Sequence, residues 1–269
     1  MLAIALFVRH ARAIDPFEIQ VYDGTANRPG ALGLELHLNR VFSGVRAAIA
    51  PELPPDHQSH LTIEPSLGLS SYWEIGGYFQ TALRADGTFD YAGVKFRNKF
   101  VTPEGWHPNL RLGGNVELSL LPERYDRNRW GAELRPIVAW ENPLWLFAIN
   151  PIFGIPLAGP DSGGGPTFEP AAMAKLKIAR AVGVGVEYYG SLGPISKPDA
   201  TNDQLHYIYE VVDLLCVPHF ELNLGVGEGL TPASNGFVAK AIAGYSWESN
   251  APRQRAPLGF APRVRADLF

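Results

Sequence analysis

Charged side chains recur at every second position in several short runs of this chain. Lys95, Arg97 and Lys99 follow that spacing, as do Glu35 with His37, Glu133 with Arg135, and Lys175 with Lys177. Successive side chains of an extended backbone alternate between two faces, so residues two apart stand on one side. Rows of this kind inside a tube would line a path for small polar or charged solutes. The same face, followed along the chain, carries nine acids (Glu35, Glu64, Glu74, Glu117, Glu133, Glu169, Glu187, Glu210, Glu221) and eight bases (Lys95, Arg97, Lys99, Arg111, Arg135, Lys175, Lys177, Lys240). Their near balance predicts no strong net ion selectivity. The bases gather on different segments from Glu221, Glu35 and Glu74, so a closed tube would set a basic wall against an acidic one and orient polar or zwitterionic solutes. The alternative is that these charges pair into a salt-bridged filling.

The same residues offer other chemistries. Glu35, His37 and Glu64 have the donor types that bind a divalent metal. Lys240, on the segment that would close beside them, satisfies the carboxylates more simply, and no metal is expected. His206 and Glu210 read as a further pore-lining pair. No cofactor motif is present: Gly163-Gly164-Gly165 lacks the following G-K-[ST] of a phosphate-binding loop, and G-x-S-x-G and H-E-x-x-H are absent. A membrane-embedded lipid hydrolase needs a His-Ser pair at the lipid boundary, and no histidine is assigned to the lipid side, so the reading is not an enzyme. Cys216 is the one cysteine among 269 residues, which excludes an internal disulfide and a thiolate zinc site.

The elements that position these residues are strands. Dyad alternation runs from residue 31 to residue 247 and divides into twelve segments, all but one apolar on one face and polar or glycine-rich on the other. Ala31 to Phe42 sets Leu34, Leu36 and Leu38 against Glu35, His37 and Asn39. The fourth segment sets Ala92, Val94, Phe96 and Phe100 against Gly93, Lys95, Arg97 and Lys99. The tenth sets Tyr207, Tyr209 and Val211 against His206 and Glu210. The segment from Leu144 to Gly154 is apolar on both faces. With 46% hydrophobic residues, 28 Gly, 23 Pro and a formal net charge of -4, the chain is an ordered β protein with no basic surplus for nucleic acid.

Two architectures share this alternation. A soluble sandwich or barrel hides its apolar face, whereas an outer-membrane barrel turns it to lipid and keeps charge in the lumen. Loop lengths favour the second: connections at Ser70-Ser71, Asn142-Pro143, Ala179-Arg180 and Leu215 to Pro218 are short, and those at Ser43 to Ser59, Leu157 to Pro166, Gly193 to Asp203 and Glu228 to Asn235 are long. The fold class is therefore all-β, a transmembrane antiparallel β-barrel of about 12 strands with a polar, charged lumen and both termini periplasmic. Pro65, Pro136, Pro151 and Pro170 fall on its apolar face, where missing N–H donors predict bulges or ladder breaks.

Phe17-Glu18-Ile19-Gln20-Val21-Tyr22-Asp23-Gly24, the run Gly33 to Asn39 and Gly227-Glu228-Gly229-Leu230-Thr231-Pro232 together resemble an uncharacterised proteobacterial outer-membrane β-barrel family, porin-like and labelled transporters by analogy. The resemblance spans about residues 14 to 248 and implies fold and location in the cell outer membrane of a Gram-negative bacterium; it carries no site residues. The expected organisation is a truncated signal peptide over residues 1–13, a periplasmic arm or lumen plug over 14–30, the barrel over 31–248 and a periplasmic tail over 249–269. The expected function is a narrow passive channel for small polar or charged solutes, with a filled structural barrel or an outer-membrane lipid hydrolase as alternatives. Its expected partners are outer-membrane lipid, a small polar solute and the outer-membrane assembly machinery, without nucleic acid and without a cofactor.

Overall fold

In the computed structural model, residues 15–48 and 50–247 are described; the signal-peptide and tail assignments lie outside them. Twelve strands form in order: β1 Leu32–Ser43, β2 Ser59–Gly68, β3 Trp73–Leu83, β4 Phe89–Val101, β5 Leu110–Leu120, β6 Trp130–Glu141, β7 Trp145–Ala158, β8 Thr167–Ala179, β9 Val182–Ser191, β10 Leu205–Val217, β11 Phe220–Gly229 and β12 Phe237–Trp247. Each pairs antiparallel with its sequence neighbours, and β1 closes on β12 through Leu32↔Trp247 to Arg40↔Ala239. Closure removes both sheet edges, so no strand is left to recruit a foreign one. Among the described residues there is no helix.

The outer face is apolar. Leu36, Leu38, Phe79, Phe96, Val116, Leu118, Leu134, Val138, Ile149 and Leu224 are all exposed there, and aromatic residues such as Trp73, Phe100, Trp140, Trp145 and Trp247 cluster toward the rim of short turns. Prolines interrupt ladders where donors are missing. The β2–β3 ladder has a gap between Ile63↔Phe79 and Ser66↔Gly76, beside Pro65, and the β6–β7 ladder one between Leu134↔Phe153 and Val138↔Ile149, beside Pro136 and Pro151, with the register unchanged across both; in β7–β8, Pro151↔Pro170 pair within a continuous ladder, so the break expected at Pro170 is absent there.

Three details differ from the alternation reading. Ala92 points inward, fully buried against Phe17, Ala82 and Leu121, because a bulge between Gln80↔Gly93 and Thr81↔Tyr91 inserts one residue and reverses its side. Gly93 holds φ 129° at that bulge, and a Cβ there would lie 2.7 Å from the Leu120 carbonyl. The backbone of Cys216 belongs to the end of β10, so the turn is Pro218-His219 alone. Finally, β10 is inverted: Tyr207, Tyr209 and Val211 are buried inside, while Glu210 is exposed and His206 half-buried on the outer face.

Candidate functional site: the lumen and the segment inside it

Residues 15–30 run through the lumen before the chain enters β1. Phe17 sits at the long-loop end, with His60 at 4.7 Å and Tyr125 at 5.7 Å between ring centroids. Ile19 and Val21 lie at mid-height in a cluster with Tyr189, Tyr207, Tyr209 and Val211. Asp23 and Asn27 reach the short-turn end, where the Gly30 amide donates to the Gly68 carbonyl at 2.7 Å. The chain at Asp15 therefore lies toward the long-loop rim, opposite to the expected periplasmic placement, while β12 ends at the short-turn rim.

Most of this segment has no ladder partner, and its backbone groups must be satisfied in another way. Lumen side chains supply the bonds. Asn39 donates to the Pro16 carbonyl (2.8 Å), Thr62 to Phe17 (2.9 Å), Lys240 Nζ to Ile19 (2.9 Å) and Arg111 Nε to Asp23 (2.8 Å). Asn150 bonds both ways with Tyr22, accepting from its amide at 2.7 Å and donating to its carbonyl at 2.9 Å. The Tyr22 hydroxyl donates to Glu18 Oε1 (2.8 Å), lies 2.7 Å from the Tyr78 hydroxyl and accepts from Arg97 Nη1 (3.0 Å). Its ring lies 4.5 Å from the Arg135 guanidinium carbon.

The charges are paired locally rather than held on opposed walls. Arg97 bonds Glu64 at 2.7 Å and Glu74 at 2.6 Å, and Lys99 bonds Glu74 at 2.8 Å. Lys95 bonds Asp15 and lies 3.4 Å from Glu117, while Arg135 bonds Glu133 at 2.6 Å. Arg111 bonds Glu141 at 2.6 Å, and Lys177 bonds the same carboxylate. Lys175 and Lys240 converge on Glu187, at 3.2 and 2.5 Å. All eight anticipated lumen bases thus have a carboxylate partner, and the transverse field expected from separated walls is replaced by short-range neutralisation. Glu35 and Glu221 line a cavity of about 100 Å3 at the short-turn end, together with Gln20, Asp23, Lys175 and Asp213.

Of the eighteen anticipated lining residues, His206 and Glu210 stand outside the barrel. The physical cause is the segment itself. The inner side of β10 meets Ile19 and Val21, so its apolar residues belong inside and the polar ones are displaced outward. Tyr22, Tyr78 and Asn150 are not among the anticipated lining residues, although alternation puts Tyr78 on the face of Glu74 and Gln80 and Asn150 opposite Trp145 and Phe147. The ring of His206 is engaged on both nitrogens, by the Tyr188 hydroxyl at 2.7 Å and Gln204 Oε1 at 3.0 Å. It is a histidine on the outer side, contrary to expectation, but no serine hydroxyl occupies either nitrogen as a hydrolytic pair would require.

The donor atoms of Glu35, His37 and Glu64 lie within 4.8 Å of one another and could hold a metal ion. His37 Nε2 already bonds Glu64 at 3.0 Å, and the other Glu64 oxygen takes Arg97. Arg97 fills the place foreseen for Lys240, whose ammonium instead bridges Glu187 and the Ile19 carbonyl. In the loops, the Gly44 amide holds the Asp56 carboxyl below the usual range against a smaller desolvation cost, with His57 and Arg46 adding to it. Burial, then the hydrogen bond to Asp90, pushes the Tyr125 phenol up to about 12.

No protein-family model matches the chain, and no curated protein matches its sequence. Solved structures resemble its fold. An outer membrane channel from Pseudomonas putida F1 superposes with a TM-score of 0.57 at 12% identity, over 86% of this chain and 100% of that one. The NanC porin gives 0.53 at 8% identity, over 81% and 100%, and the KdgM porin 0.52 at 8% identity, over 80% and 99%. At such identities the likeness establishes a shared barrel architecture.

Proposed function

We propose that this chain is an outer-membrane channel of a Gram-negative bacterium, passing small polar or charged solutes, whose resting lumen is closed by residues 15–30. The apolar outer band fits outer-membrane lipid, and charged side chains line the inner face, as in a channel whose path is closed while the segment occupies it. Channels and porins of the same architecture, and the resemblance to proteobacterial outer-membrane barrels carried by Phe17 to Gly24, support the reading. Insertion of such a barrel would depend on the outer-membrane assembly machinery.

One observation carries the choice of a removable plug over a permanent filling. Each cation that grips the segment also holds a carboxylate of the wall: Arg135 bonds Glu18 and Glu133, Arg111 bonds Asp23 and Glu141, and Lys240 bonds the Ile19 carbonyl and Glu187. Withdrawing the segment leaves these cations paired. Opening therefore avoids the several kcal/mol that an uncompensated buried charge would cost.

The test is planar-bilayer recording of the refolded chain and of a variant lacking residues 15–28, with heat-dependent gel mobility confirming closed barrels. The full chain is expected to stay mostly closed with brief current steps, and the deletion to conduct steadily. An inserted deletion variant that passes no current would overturn the proposal.

A further inference from the structure

The outer face carries almost no charge, and the exceptions are not scattered. Among the described residues, the outward positions of β2 through β9 hold no charged side chain. Those of the four contiguous strands β10, β11, β12 and β1 hold three: Glu210, Glu228 and Arg40. Glu210 is exposed between Val186 and Val226, its direct neighbours on β9 and β11, and has no hydrogen bond or ion pair among the described residues. A carboxylate facing lipid is unfavourable, and the outward positions of the eight strands β2 to β9 have none.

The three charges have a shared geometry. Glu210, Val226, Ala239 and Arg40 form one row across the sheet, through Glu210↔Val226, Val226↔Ala239 and Arg40↔Ala239. Acids therefore lie on one side of β12 and the base on the other. Counted from the long-loop end of their strands, Glu228 is the second residue of β11, Arg40 the fourth of β1 and Glu210 the sixth of β10. Arg40 donates to Ser59 Oγ at 2.8 Å, which leaves most of its five donors unused. Between the two sides the outward residues of β12 are Ala239, Ala241 and Ala243, which permit close approach of a second backbone.

From this arrangement we infer that two copies of the chain associate side by side in the membrane, about a two-fold axis passing over Ala239 of β12. Such an axis lays β1 of each copy over β11 of the other. Arg40 then enters between Glu228 and Glu210 of the second copy, and the same contact repeats on the far side of the axis, as an isologous interface demands. In this orientation the surface is self-complementary in charge, Arg40 on one side of β12 meeting the acids on the other. Rotated about any other strand, Glu210 would face an apolar surface without a cation. The inference rests on the outer face being lipid-facing, as in the proposed function.

The experiment uses the full chain, refolded into lipid nanodiscs and into supported bilayers. Subunit number is counted by single-molecule photobleaching. In a Cys216→Ser background, Ala239→Cys should cross-link to a dimer under mild oxidation, whereas Ile149→Cys on the opposite side should not. Arg40→Glu alone, or Glu210→Arg with Glu228→Arg, should each lower the dimer fraction by about tenfold or more, because like charges then meet across the interface. All three substitutions together restore the attraction with its polarity reversed, and the dimer should return. Rescue separates loss of an interface from loss of folding. Inserted barrels that bleach in one step, with or without a bound lipid, would overturn the dimer, as would a dimer unmoved by the charge exchanges. Failure to insert at all would instead count against the membrane reading on which the inference rests.

Discussion

If residues 15–30 close a channel as proposed, replacing Tyr22 should open it, by an amount that follows from what its side chain touches. The residue is buried within the lumen, and its hydroxyl contacts Glu18, Tyr78 and Arg97. Tyr22→Phe keeps the ring and deletes the hydroxyl. Arg97 retains Glu64 and Glu74, so the loss is about 1 to 2 kcal/mol rather than the full penalty of an orphaned charge. Tyr22→Ala also removes the ring and its cation contacts with Arg135 and Arg97, for which core substitutions suggest about 3 to 5 kcal/mol. Water can enter the vacated lumen, so about 3 kcal/mol is the more reasonable figure. At 1.4 kcal/mol per factor of ten, the ratio of open to closed channel should rise by roughly tenfold for Tyr22→Phe and by roughly a hundredfold for Tyr22→Ala. Open probability in planar bilayers at low voltage measures this ratio directly. Inserted Tyr22→Ala channels with unchanged open probability would refute the reasoning, as would a phenylalanine variant more open than the alanine one.

Three further outcomes follow from particular contacts. A Cβ on Gly68 would lie 2.1 Å from the Arg28 carbonyl and 2.4 Å from that of Asn27, so Gly68→Ala should lift the segment from the wall and raise conductance while the barrel still shows its heat-dependent gel shift. Leu224→Arg places a charge in the outer apolar band and should cost about 2 to 4 kcal/mol in lipid-based unfolding, whereas Glu221→Gln on the inner side of the same strand should be neutral or stabilising. In the β1–β2 loop the depressed Asp56 carboxyl contributes stability above the unfolded-state pKa, and that contribution disappears as pH falls through its lower folded value. Hydrogen exchange at the Gly44 amide, which donates to Asp56 at 2.8 Å, should therefore keep its protection down to moderately acidic pH and lose it below.

The strand count, the closure of β1 on β12 and the facing of most strands were legible because alternation is a direct consequence of extended geometry. Its failures have local causes. Ala92 reverses because one inserted residue shifts the phase of everything before it, and nothing in the composition of Tyr91-Ala92-Gly93 other than the glycine marks that insertion. β10 reverses because alternation reports which face is apolar, not which face is inside. Those coincide only while the lumen is polar, and beside Ile19 and Val21 it is not. Asn223→Asp illustrates the same limit. From alternation it is a harmless change on the polar side, yet Asn223 donates to Asp213 at 2.6 Å, and a second carboxylate there would be repelled.

The lumen thus has two unlike walls, and they divide the work of holding the segment. On the side of β2 to β6 the contacts are ionic, directional and shared with wall carboxylates, as with Arg97, Arg111 and Arg135. They fix where the segment lies but are largely kept when it leaves. On the side of β8 to β11 the contacts are apolar, between Ile19 or Val21 and Met173, Tyr189, Tyr207 and Tyr209, and are lost entirely on leaving. In the proposed channel, non-directional burial would make the closed state favourable, and the ion pairs would make it specific. The two can be separated. Ile19→Ser should raise open probability without altering the size of the current step, because it weakens closure and leaves the path unchanged. Arg135→Gln removes the cation shared by Glu18 and Glu133, so it should loosen the segment and also change the ion preference of whatever current flows. If Ile19→Ser changed the step size, or Arg135→Gln left ion preference untouched, the division between the two walls would be wrong.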